Sequence, residues 1–240
     1  MSDLTGKVHS FETFGAVDGP GIRFIIFMQG CSLKCKYCHN RDTWDLHSGT
    51  PYTSSEILEK ILRYKNYFLS SGGGVTVSGG EPLLQYKFLT QLFTLLKKEN
   101  IHIAIDTSGS VDLTDDIKKL IDLTDLFLLD IKCINDKICK ELTGVSNEKE
   151  LAFAKYLSNI NKPIWIRQVI VPTITDRTED LKSLKEFIGT LKSVEKIELL
   201  PYHDMGKTKW INIGYEYELD NIRNANSNDI EYAKNILGIC

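Results

Sequence analysis

The sequence predicts an α/β protein of parallel strands joined by helical crossovers. Three observations carry this. Short apolar runs alternate with amphipathic stretches along the chain. Six strand-then-helix units follow one another, the pattern of parallel sheets with crossover connections. Polar, glycine-rich or cysteine-rich groups sit where the strands should end, on the rim where parallel α/β proteins bind ligands. Six units suit either a doubly wound open sheet or a partial barrel.

The elements are read in order. Residues 22–28, rich in Ile and Phe, form the first strand. A helix follows over 54–70, with Thr53-Ser54-Ser55-Glu56 as its capping box. Ile57, Leu58, Ile61, Leu62, Phe68 and Leu69 make its apolar face. The second strand is 75–77, and the helix over 86–99 turns Leu89, Leu92, Phe93 and Leu96 inward. The third strand is 101–105, followed by a helix at 114–123 and a fourth strand at 126–131. Asn147 is placed as the cap of a helix over 148–159. A fifth strand at 164–171, a helix at 178–191, a sixth strand at 196–200 and a helix at 229–237 complete the chain.

Composition bounds the function. The 240 residues suffice for one sizeable core, and no linker or repeat divides them, so 1–240 reads as a single domain. Lys and Arg number 29 against 32 Asp and Glu, a net charge of −3. No basic stripe marks a nucleic-acid surface. The opening Met-Ser-Asp-Leu-Thr-Gly-Lys lacks the apolar region of a signal peptide. The longest apolar runs are strand-sized, too short for a membrane span. A cytoplasmic protein with reduced thiols is expected.

Of six cysteines, Cys31, Cys35 and Cys38 crowd into one short loop; Cys133, Cys139 and Cys240 lie elsewhere. In a reducing compartment such a cluster reads as a metal site. Structural zinc wants four ligands in a closed tetrahedron, and His39 is poorly placed to share one ion with its neighbour Cys38. A ferredoxin centre wants four cysteines per cluster; Cys133 and Cys139 read instead as small buried hydrophobes. Three thiolates without a fourth suggest a [4Fe–4S] cubane with one iron left open.

Cys31-Ser-Leu-Lys-Cys35-Lys-Tyr37-Cys38 resembles the signature of the radical S-adenosylmethionine superfamily. The longer stretches 17–23 and 38–44 are similar to the glycyl-radical-enzyme activases within it. So are Ser78-Gly79-Gly80-Glu81, Leu128-Leu129-Asp130-Ile131-Lys132, Ile164-Trp165-Ile166-Arg167 and Leu200-Pro201-Tyr202-His203. The resemblance covers nearly the whole chain. It implies a partial (β/α)6 TIM-like barrel of parallel strands, of radical-SAM type. Residues 44–57 are short and hold no cysteine, where activases of dehydratases and decarboxylases often carry a ferredoxin-like insert. That favours the pyruvate formate-lyase branch. A radical activase of another glycyl radical enzyme, a small-molecule radical enzyme, and a non-enzymatic zinc or electron-transfer module are the alternatives.

The resemblance also implies the site. Cys31, Cys35 and Cys38 would hold the cluster, and S-adenosylmethionine would chelate the open iron. An electron would then cleave it to a 5′-deoxyadenosyl radical, which removes a hydrogen atom from a glycine of pyruvate formate-lyase under anaerobic conditions. Tyr37, Cys38, His39, Gly80, Asp130, Ile131, Lys132 and His203 match cofactor-binding positions. Asp106, Thr107, Asp130 and the backbone carbonyl of Leu128 match a Na⁺ or K⁺ site, hard oxygens for a hard cation. Asp18 and Arg167 match positions near the partner's glycine loop. Flavodoxin or ferredoxin is the implied electron donor, and a monomer is expected. Plainer readings stand beside these. Gly79-Gly80 makes a tight turn with Pro82 opening the next helix, and Glu81 serves that helix's N-terminus. Asp106 caps a helix, Asp18 belongs to turn chemistry, and His203 is an ordinary polar residue. His9, His47 and His102 carry no signal.

Overall fold

A computed structural model describes residues 3–239, so Cys240 lies outside the described residues. The chain divides into two compact units. The first takes in the residues up to Ser32, Thr43–Thr107 and Val111–Leu128; the second takes in Leu33–Asp42, Ser108–Ser110 and the chain from Leu129 on.

The first unit opens with two elements that the sequence did not signal. β1 (Thr5–Gly15) runs antiparallel to β2 (Arg23–Met28), with Val8 opposite Met28 and Gly15 opposite Arg23. β3 (Thr50–Thr53) pairs antiparallel with the other side of β1. β1 interleaves Lys7, His9, Ser10 and Glu12 with its apolar residues and stays half-exposed over much of its length, so its period-2 signal is weak. β3 has four residues and contains Pro51, which an edge strand tolerates because one side needs no ladder donor.

The helix expected over 54–70 is two helices, α1 (Ser54–Leu62) and α2 (Lys65–Ser71). The capping box stands as expected: the Thr53 hydroxyl accepts from the Glu56 amide, and the Glu56 carboxylate accepts from the Thr53 amide at 2.7 Å. The break falls at Tyr64, whose ring packs on Phe14 and Phe24 at centroid distances of 5.7 and 5.5 Å. β4 (Gly74–Gly79) pairs parallel with β2. α3 (Tyr86–Lys98) buries Leu89, Leu92, Phe93 and Leu96 as its periodicity requires. β5 (His102–Thr107) pairs parallel with β4, then come α4 (Asp115–Leu123) and β6 (Leu126–Asp130). Strand order here is β3-β1-β2-β4-β5-β6. Near-continuous burial of β2, β4 and β6 is the mark of parallel strands covered on both faces.

β6 crosses into the second unit at Leu129, where β7 (residues 164–170) and β8 (residues 194–201) follow it in the strand order. The elements there are α5 (Asp136–Thr143), α6 (Glu148–Asn159), β7 (Ile164–Ile170), α7 (Thr178–Gly189), β8 (Val194–Pro201), α8 (Lys207–Asn212) and α9 (Ser227–Leu237). β7 and β8 pair parallel. α5 and α8 were not foreseen. Asn147 precedes α6, but its side chain makes no cap; it donates instead to the carbonyls of Cys133 and Ile134 at 3.0 and 2.7 Å. β3 and β8 are edge strands, so the strand order does not close and the fold is α/β with a partial barrel.

Candidate functional site

In the first unit the polar residues at the C-terminal strand ends bind one another. Ser78 and Gly79 lie inside β4, and Asp106 and Thr107 inside β5, rather than beyond them. The Ser78 hydroxyl donates to Asp106 Oδ2 at 2.7 Å. Glu81, 2 % exposed, accepts on Oε1 from the Thr107 hydroxyl at 2.5 Å and from the Leu83 amide at 3.1 Å. Glu81 is thus the cap of the 3₁₀ turn Pro82–Gln85. Gly79 has a φ of 109°, open to glycine. A Cβ on Gly80 would stand 2.2 Å from the Gly30 carbonyl, so close packing onto β2's end already demands glycine there. Leu128 is fully buried in β6.

Asp18 and Arg23 lie at the opposite end of these strands. The Asp18 carbonyl accepts from the Thr76 hydroxyl at 2.5 Å. Arg23 is wholly buried; its guanidinium donates to Thr76 Oγ1 at 2.9 Å, to the carbonyls of Pro20 and Val75, and to His102 Nδ1 at 3.2 Å. Burial pulls its pKa down to about 10 against the Asp125 and Asp18 carboxylates, so it stays charged at neutral pH. His102, without signal in the sequence, completes this plug.

Most of the cysteine loop belongs to the second unit, where α5 seats it. The Lys34 and Lys36 amides donate to the carbonyls of Thr143 and Leu142 at 2.7 and 2.9 Å. Those carbonyls are among the last of α5, which lack partners inside the helix. Gly144, in the left-handed conformation, ends the helix there. The Cys38 amide donates to the Cys35 carbonyl at 2.9 Å and closes the turn between the two thiols. At the loop's far end the Trp210 indole donates to the Cys38 carbonyl at 2.8 Å, and His39 Nε2 donates to the His203 carbonyl at 3.0 Å.

Lys132 Nζ meets Asp130 Oδ2 at 2.5 Å, and the Lys132 amide donates to Glu150 Oε1 at 2.8 Å. Burial alone would lower the Lys132 pKa; the Asp130 carboxylate overrides it and holds the ammonium well above its ordinary value. Tyr37 is 7 % exposed, and its hydroxyl has no hydrogen-bond partner. Burial drives its pKa well up, with Lys132 opposing. His203 Nδ1 is also buried without a partner, and burial followed by the His39 charge lowers its pKa. The Ile131 amide donates to the Arg167 carbonyl at 2.8 Å. Arg167 sits in mid-strand, as the sequence implied, with Nε on Glu198 Oε2 at 2.9 Å.

The chain's residues fit an iron–sulfur cluster and a bound cofactor. Cys31, Cys35 and Cys38 take part in no disulfide. Cys133 and Cys139 are buried away as expected, burial pushing their thiols up to about 12 and about 11; neither is poised as a fourth thiolate. Among the described residues, no three His, Cys, Asp or Glu side chains gather as ligands of one metal ion; a cubane takes each thiolate on a different iron. Buried polar atoms are normally paired, so the Tyr37 hydroxyl and His203 Nδ1 are suited to face a ligand. Sequence reading missed α5, Glu150 and Trp210. Trp210 stands seven residues past His203, the end of the segment 200–203 that carried the signal.

A partial α/β barrel with a three-cysteine loop defines a radical S-adenosylmethionine protein. The chain matches the Radical SAM superfamily over residues 25–188. It is 49 % identical over 235 residues to the pyruvate formate-lyase 1-activating enzyme of Escherichia coli (strain K12), covering 98 % of this chain and 96 % of that one. It is 47 % identical over 242 residues to the pyruvate formate-lyase-activating enzyme of Listeria monocytogenes serovar 1/2a, covering 99 % and 98 %. The crystal structure of Streptococcus suis SuiB bound to precursor peptide SuiA has the same fold, with a TM-score of 0.67 at 19 % identity, over 89 % of this chain and 45 % of that one. The chain belongs to the pyruvate formate-lyase-activating enzymes of the Radical SAM superfamily. No helix among the described residues is long and apolar enough to cross a membrane.

Proposed function

We propose that the chain activates a pyruvate formate-lyase under anaerobic conditions by leaving a glycyl radical on it. One observation carries this reading: three cysteines on one loop, none in a disulfide, in a member of this enzyme family. When bound, the cluster and S-adenosylmethionine supply an electron and the 5′-deoxyadenosyl radical that takes the partner glycine's hydrogen atom.

The chain's own residues hold and orient. Cys31, Cys35 and Cys38 carry the cluster. Tyr37, Cys38, His39, Gly80, Asp130, Ile131, Lys132 and His203 form the S-adenosylmethionine site. Lys132, kept charged by Asp130, offers a cation to an anionic ligand group. His203, its pKa lowered, stays neutral at neutral pH and keeps Nδ1 available for one hydrogen bond. Asp106, Thr107, the Leu128 carbonyl and Asp130 supply oxygens for Na⁺ or K⁺. Asp18 and Arg167 serve the partner's glycine loop. The electron donor is a flavodoxin or ferredoxin, and the chain works as a cytoplasmic monomer.

The test is anaerobic reconstitution with iron and sulfide, then addition of reductant, S-adenosylmethionine and pyruvate formate-lyase. A glycyl radical signal by electron paramagnetic resonance is the expected result. Cys35→Ala should abolish methionine formation, and turnover persisting in that variant would sink the assignment. Asp130→Ala should lower activity and remove its response to added Na⁺ or K⁺; unchanged activity would dismiss the cation site.

A further inference from the structure

We infer that Trp210 is a positioning residue for the last cluster thiolate, acting through the peptide carbonyl of Cys38; the inference rests on the cluster proposed for Cys31, Cys35 and Cys38. Trp210 is 172 residues away from Cys38 in sequence, lies in α8, and is 3 % exposed. An indole has a single N–H donor and no acceptor. When buried it usually finds one partner, and here that partner is the carbonyl of the third cysteine.

The neighbouring contacts show a built clamp. A Cβ on Gly206 would stand 3.2 Å from the Cys38 carbonyl oxygen and 2.9 Å from the His39 ring, so glycine lets the segment before α8 close on this peptide. The Arg41 guanidinium lies 3.6 Å from the Tyr215 ring centroid and 5.3 Å from that of Trp210, a cation–π arrangement that holds the indole from its outer side. The Tyr217 ring meets Trp210 edge-on at 5.6 Å. The two ends of the loop are therefore held differently. Backbone carbonyls of α5 accept from the loop's amides at the Cys35 end, while a distant side chain donates at the Cys38 end.

The Cys38 carbonyl and the Cys38 Cα–Cβ bond meet at one Cα, so a donor that fixes the carbonyl restrains the main chain from which the thiolate projects. Without the indole N–H, the Cys38 carbonyl loses this donor, and the main chain that carries the thiolate is held less tightly. Groups that orient metal ligands commonly matter about 10- to 100-fold in metal retention. The test uses the full chain with its cluster reconstituted and needs no lyase. Two changes are compared: Trp210→Phe, and 3-benzothienylalanine at position 210, which keeps the shape of the indole and lacks its N–H. Iron release to a chelator and the resonance spectrum of the reduced cluster are measured. We expect both chains to release iron about tenfold faster and to show an altered reduced-cluster spectrum. If Trp210→Phe fails to fold, the benzothienyl chain decides alone. A benzothienyl chain that matches the natural one in release rate and spectrum overturns the inference and leaves the cluster standing. A natural chain that takes up no iron and sulfide overturns the cluster reading and the inference with it.

Discussion

At the strand ends of the first unit, the buried Glu81 carboxylate is met by the Thr107 hydroxyl and the Leu83 amide, and Asp106 is met by Ser78. In the second unit, the buried Tyr37 hydroxyl and His203 Nδ1 have no hydrogen-bond partner. Both regions carry residues that a sequence reading assigns to ligand binding. The difference teaches how to sort them. A polar group already paired inside the protein has been desolvated at little net cost, so its role is structural first. A buried group left unpaired carries an uncompensated cost in the ligand-free chain, and a ligand can remove it. Glu81 is of the first kind, Tyr37 and His203 of the second.

The sharpest way to break this contrast is Arg23→Leu in the first unit. Its guanidinium serves Thr76 and two backbone carbonyls. Removing it should cost about 3–5 kcal/mol of stability by denaturant titration. A cost under about 1 kcal/mol would show that the plug is not structural. Thr107→Val comes next, because it strips the buried Glu81 of a donor; a loss of about 1–3 kcal/mol is expected.

A smaller effect should appear with pH. Burial, then the Arg23 charge, lowers the His102 pKa, with Lys97 adding and Asp125 opposing. Unfolded His102 takes its proton near pH 6.5, and the folded residue resists it. As the pH falls below about 6.5 the unfolded chain binds the extra proton and stability drops; the drop ends below the folded pKa. His102→Asn, which retains an acceptor for Arg23, should flatten this slope in urea titrations at successive pH values. The smallest effect is that of Tyr37→Phe, the counterpart of Thr107→Val. It removes a buried hydroxyl with no partner, so the stability of the ligand-free chain should stay within about 0.5 kcal/mol or rise. A loss as large as that at Thr107 would erase the contrast between the units.

Some of this was legible from sequence and some was not. The capping box of α1 and the inward face of α3 were readable because their partners lie three or four residues apart. β1 was not, since its half-polar pattern forms a strand only through pairing with β2 and β3. The split between α1 and α2 depends on Tyr64 finding Phe14 and Phe24. Asn147 stands where a cap belongs, yet two carbonyls thirteen and fourteen residues back take its amide.

The cysteine loop marks the same boundary. Its donor set is local: three thiols within one short stretch, whose number and spacing mark a metal site and suggest an open cluster rather than closed zinc. The sequence by itself therefore determined a loop of metal-ligating type and the α/β class, both written in short-range pattern. Only the tertiary structure decided which buried polar groups lack a hydrogen-bond partner and what holds the main chain of the cysteine loop. Hydrogen bonds such as Trp210 to Cys38, Thr107 to Glu81 and Lys36 to Leu142 join residues far apart in the chain. Side-chain pairing at that range is set by packing, which no local period records.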